Sequence, residues 1–141
     1  MNFGTINRFH FQAIEQVKHS YGSAETVRLG RSMVTMTKGL YQRMGEPEYL
    51  CFGYDPEEKA LGIKVVTKDE PNALKVKHST TLSTRVEHSA YVSHKIAEEM
   101  NVNLDEKSIL MKRGYKVDDY FVFELRYAEP LKKSGRKKNG I

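Results

Sequence analysis

Residues 27–66 read VRLGRSMVTMTKGLYQRMGEPEYLCFGYDPEEKALGIKVV, and the hydrophobic period changes twice within them. A short β-branched and apolar run at 25–29 and another at 32–36 flank Gly30-Arg31, the pattern of two strands joined by a tight turn. The period then lengthens: Thr37 is a capping residue, Leu40 and Met44 stand one helical turn apart, and Gly45 with Glu46-Pro47 is a stop signal. A helix of two turns is too short to survive without packing, so it is expected to lie on a sheet. That sheet is expected from 49–54 and 60–66, alternating runs joined by the turn residues Asp55-Pro56-Glu57-Glu58-Lys59.

The same outline returns downstream. Ser93, Ile96 and Met100 follow Thr37, Leu40 and Met44 by 56 residues each, with Asn101 in the place of Gly45. A long strand is expected at 108–116, a turn at Asp118-Asp119 and a further strand at 120–127; weaker strand signals lie at 74–76 and in the Ser/Thr-rich run before 86. The spacing argues for two β-α-β-hairpin repeats, at about 25–66 and 85–127. Each repeat leaves an apolar edge and face uncovered, and pairing the two about an approximate dyad closes a small β barrel. The expected class is therefore mixed and strand-rich (α+β), with two short helices. Residues 1–23 form an N-terminal extension read as a strand, 24–130 the single domain, and 131–141 a flexible basic tail.

With 141 residues and 39% hydrophobic content, the chain suits one core. Its net charge of +5 is carried by Lys132, Lys133, Arg136, Lys137 and Lys138; the remaining 18 basic residues balance the 18 acidic ones. The single Cys51 excludes an intrachain disulfide and a cysteine-rich zinc site, points to a reducing, cytoplasmic setting, and reads as a small core residue. No apolar leader opens the sequence and no run is long enough to cross a bilayer, so no membrane partner is expected. The five histidines lack the spacing of a helical metal pair, the acidic residues cluster in turns, and no phosphate-cradling glycine loop is present. These absences argue against an enzyme, and no catalytic residue, metal or cofactor is assigned.

Leu29-Gly30-Arg31, Val34, the helix ending at Met44-Gly45, the acidic turn at 55–58 and Ile63-Lys64-Val65 together resemble the AbrB-type swapped-hairpin barrels. That family includes transition-state regulators, MazE-like antitoxins and the MraZ proteins. The resemblance implies a swapped-hairpin barrel formed here as an intrachain pseudo-dimer, with the two-repeat MraZ layout as the nearest analogue. It also implies DNA binding through basic side chains near the first helix. The chain has Met36-Thr37 where family DNA binders place a proline, and Tyr41-Gln42 where they place paired arginines.

Charge distribution refines this expectation. Residues 37–45 carry Lys38 and Arg43, whereas 93–101 carry Lys95 against Glu98 and Glu99, so a symmetric operator is disfavoured. The expected nucleic-acid contacts are a one-sided patch of Arg28, Arg31, Lys38 and Arg43, helped by Lys132, Lys133, Arg136, Lys137 and Lys138 of the tail. The function expected is non-enzymatic DNA binding in a regulatory or accessory role. The alternative is a protein-interaction module of the phage or mobile-element accessory type, using exposed Tyr41, Tyr91, Tyr115, Tyr120 and Tyr127. Self-complementary strand edges also imply association into homodimers.

Overall fold

A computed structural model of the chain describes residues 24–78 and 83–132. The N-terminal extension and the tail residues Lys133, Arg136, Lys137 and Lys138 lie outside them. The first unit contains β1 (Val27–Leu29), β2 (Val34–Thr37), helix α1 (Lys38–Arg43), β3 (Tyr49–Asp55) and β4 (Ala60–Val66). The second contains β5 (Leu74–His78), β6 (Ser83–Val86), helix α2 (Ala90–Met100), β7 (Lys107–Met111), β8 (Tyr115–Val117), β9 (Tyr120–Glu124) and β10 (Glu129–Lys132). A single 3-10 turn, Leu125–Tyr127, links β9 to β10.

All ten strands join one antiparallel sheet in the order β10-β7-β1-β2-β6-β5-β3-β4-β9-β8. The class is therefore mixed and strand-rich. Outward from the central β2–β6 pair, the order has matching halves: β1, β7 and β10 on one side, β5, β3 and β4 on the other. Each unit's first hairpin is thus flanked by a strand of the other unit. Val27 of β1 faces Met111 of β7, and Leu74 of β5 faces Leu50 of β3. The β8–β9 hairpin is additional to this plan and extends the sheet beyond β4.

Alternation decides which face is buried. Val27, Leu29, Val34, Met36, Val76 and Val86 turn inward, where Leu40 of α1 and Ile96 of α2 join the same core. At ~25 cal/mol per Å² of apolar surface removed from water, this shared core is what keeps a six-residue helix formed. Thr37 is the N-cap position of α1, as its place in the sequence suggests, but its hydroxyl donates to the Ala24 carbonyl (2.6 Å) instead of capping. Gly45 (φ 92°) and Asn101 (φ 58°) both take the left-handed conformation expected of helix-terminating residues.

Several expectations need correction. The N-cap of α2 is Ser89, and Ser93 is instead buried one turn inside the helix. The expected strand at 108–116 is broken between Met111 and Tyr115, where Arg113 has φ 61° and the backbone of Gly114 lies against the ring of Phe123. A Cβ at Gly114 would stand 2.5 Å from that ring, so only glycine admits this close turn. The 120–127 run ends as a strand at Glu124, and the first two residues assigned to the tail, Leu131 and Lys132, instead pair with Ser108 and Lys107 in β10. The second unit begins with β5, earlier than the expected residue 85. Cys51 alternates with buried Leu50 and lies half-buried on the outer face, not in the core.

Candidate nucleic-acid interface

The outer face of the sheet, away from the core, carries a lateral row of side chains at one level. Register places Arg28 of β1 beside Thr35 of β2, Thr35 beside Arg85 of β6, and Arg85 beside Lys77 of β5. Arg28, Thr35 and Arg85 each alternate with buried neighbours, and Lys77 follows buried Val76, so sheet geometry alone aims all four outward. With strands about 4.8 Å apart, Arg28 and Arg85 stand roughly 10 Å from one another, flanking a hydroxyl. Lys75, two residues before Lys77, lies on the same face.

Partners in this row are few. Arg28 Nη1 donates to Ser108 Oγ at 3.0 Å, which steadies the guanidinium without neutralising it. Lys77 Nζ lies 3.2 Å from Glu87 Oε2. Arg85 and Lys75 form no ion pair with any described residue. Two cations directly opposed across strands, as Lys77 and Arg85 are, repel by several tenths of a kcal/mol, and an external anion relieves that repulsion.

A shallow depression of about 420 Å³ adjoins the row at the β1–β2 turn, lined by Arg28, Gly30, Arg31, Ser32, Met33 and Thr35. Arg31 thus stands near Arg28, as the patch reading expects. Its Nη1 lies 3.0 Å from Asp105 Oδ1, with the two side chains 62% and 66% exposed. Such a pair contributes at most ~1 kcal/mol and exchanges readily for a phosphate. His94 Nε2 lies 3.0 Å from the Arg31 carbonyl and fixes the turn from α2.

The remaining expected contacts are not gathered with these two. Arg43 sits on α1, on the core side of the sheet, with Nη1 2.6 Å from Glu25 Oε1 and its guanidinium 5.8 Å from the Phe121 ring centroid. Lys38 opens the same helix and is exposed. Lys132 occupies the edge strand β10. The expected patch of four is therefore split by the sheet, because strand alternation sends Arg28 outward while α1 covers the inner face.

Arg85, Lys75 and Lys77 escaped the sequence reading. Their signal is the alternation in Leu74-Lys75-Val76-Lys77 and Thr84-Arg85-Val86, which marks outward cations only once β5 and β6 are known to flank β2.

Of the tyrosines assigned to an interface, Tyr41 is buried and donates its hydroxyl to the Pro47 carbonyl at 3.0 Å. Tyr91, Tyr115 and Tyr120 are exposed and Tyr127 is half-buried. Among the described residues no group of three His, Cys, Asp or Glu side chains is placed to hold a metal ion, and no helix is long and apolar enough to cross a membrane. Comparisons with protein-family models, with curated proteins and with solved structures find no match for this chain.

Proposed function

We propose that this is a non-enzymatic, cytoplasmic DNA-binding protein with a regulatory or accessory role, and that it contacts duplex phosphates through the outer face of β1, β2, β5 and β6. The observation that carries the reading is the level row Arg28–Thr35–Arg85–Lys77, in which two arginines have no carboxylate partner among the described residues. A flat cationic row without base-shaped donors or a projecting helix reads the backbone rather than the sequence, so binding is sequence-tolerant. The matching halves of the strand order support the finer architectural reading, an intrachain pseudo-dimer of swapped-hairpin type.

The test is a salt titration of affinity for random duplex DNA. Affinity of the full chain is expected to fall steeply with salt, and Arg28→Ala and Arg85→Ala each to reduce the log–log slope by about 1. Lys38→Ala is expected to leave it unchanged. A chain ending at Lys132, which keeps every described strand, separates the face from the tail. If that truncation alone abolishes binding, or if Arg85→Ala leaves the slope untouched, the face is not the interface.

A further inference from the structure

Toward the β8 end of the sheet the charge reverses. The outer faces of β3, β4, β9 and β8 enclose an open cleft of about 570 Å³, within the range of small-ligand and peptide side-chain sites. Gly53 and Gly62 are register partners and form its floor, with Val122 beside Gly62 and Tyr115 opposite Val122. The Tyr120 ring leans over Gly62, where a Cβ would stand 2.9 Å from its Cδ1. Over Gly53 the floor is bare, since a Cβ there would meet nothing within 4 Å.

The walls combine aromatic and anionic groups. Tyr115, Tyr120 and Val117 are 41%, 39% and 46% exposed, a concentration of apolar surface unusual for a three-residue strand and its partner. Asp55, Glu58, Asp118 and Glu124 line the same space and no basic side chain among the described residues lines it, although Arg126 Nε pairs with Glu124 Oε1 from outside at 2.7 Å. Asp55, Glu58 and Asp118 form no ion pair with any described residue. Tyr115 donates its hydroxyl to Glu124, a contact that keeps the glutamate below its ordinary range and orients the ring at the cleft edge. The Tyr120 ring already has a cation beside it, with Lys64 Nζ 5.8 Å from its centroid.

We propose that this cleft binds a basic peptide segment of a partner protein, seating an arginine or lysine side chain between Tyr115 and Tyr120 with Glu58 and Asp118 as counter-charges. Charge complementarity selects the occupant. Tyrosine faces attract guanidinium and ammonium groups, whereas the three carboxylates without a cationic partner among the described residues, Asp55, Glu58 and Asp118, repel a nucleic-acid backbone. Among the described strands β8 closes this end of the sheet, and the bare floor at Gly53 lets a peptide lying across the outer face of β3, β4 and β9 approach the backbone closely. The site is independent of the cationic row and uses none of its residues.

Fluorescence anisotropy of a labelled Arg-Val-Arg-Val-Arg-Val peptide with the full chain tests this, with the Glu-Val counterpart as control. Saturable binding of the arginine peptide alone is expected. Gly53→Val, which adds bulk to the floor at a position where a Cβ meets nothing within 4 Å, and Glu58→Lys, on an exposed turn, are each expected to weaken it at least about tenfold. Both variants are expected to keep the thermal transition and the affinity for duplex DNA. Absence of saturable binding, equal binding of the glutamate peptide, or indifference to both variants overturns the proposal. So does a dimer in light scattering that Gly53→Val disperses, because the occupant is then a second copy of the chain.

Discussion

Two serines four residues apart, Ser89 at the N-cap position of α2 and Ser93 inside the helix, show how pairing changes what one buried side chain is worth. The Ser89 hydroxyl accepts from the Val34 N–H at 2.7 Å and donates to the Val86 carbonyl at 2.5 Å, so it ties β2 to β6 at the centre of the molecule. Ser89→Ala leaves both backbone groups buried and unpaired, at an expected cost of about 1–3 kcal/mol by denaturant titration. Ser93 Oγ is equally buried and has no hydrogen-bond partner among the described residues. Removing it relieves a desolvation penalty, so Ser93→Ala is expected to be neutral or stabilising by up to ~1 kcal/mol in the same titration. The 56-residue offset drew attention to Ser93 as a cap, because spacing reports a helical face but not where the first turn begins.

At the scale of elements, the β8–β9 hairpin is held by a titratable lock. Hydrogen bonding to Tyr115 lowers the Glu124 pKa, and the same bond, first among its causes, raises that of Tyr115. A lowered carboxyl contributes stability above its unfolded value and loses it as pH falls through the folded one. A raised phenol contributes below its unfolded value and loses it as pH rises through the folded one. The lock is therefore expected to hold across neutral pH and to open on both the acid side of the carboxylate range and the alkaline side of the phenol range. Ring resonances of Tyr115 in NMR spectra should report both transitions, and Glu124→Gln should remove the acid one. The turn of this hairpin at Asp118-Asp119 was legible in the sequence, but the break that separates β8 from β7 was not. The run at 108–116 carries strand-forming residues on both sides of Arg113-Gly114, and only the Phe123 ring pressed against Gly114 shows that the chain must turn there.

For the molecule as a whole, the two units do not complete themselves separately. Strand β1 depends on β7 of the second unit, and β5 on β3 of the first. Residues 24–72 and 73–132 expressed separately are expected to lack a cooperative thermal transition by circular dichroism, whereas the full chain has one; a cooperative melt of either half would refute the exchange. By itself the sequence determined the local alphabet: the β1–β2 turn at Gly30-Arg31, the stop of α1 at Gly45, the left-handed Asn101, and the hairpin β3–β4 with its acidic turn. These depend on neighbours along the chain, through backbone preference and hydrophobic period. Tertiary structure alone decided which cations share a surface, since Arg28, Arg85 and Lys77 meet through strand pairings that join distant segments and not through any spacing. The acidic cleft arose in the same way, when an added hairpin docked Tyr115 and Tyr120 beside two glycines of the first unit. Local sequence sets each strand's inward and outward sides, but cross-strand register decides which outward side chains face a partner together.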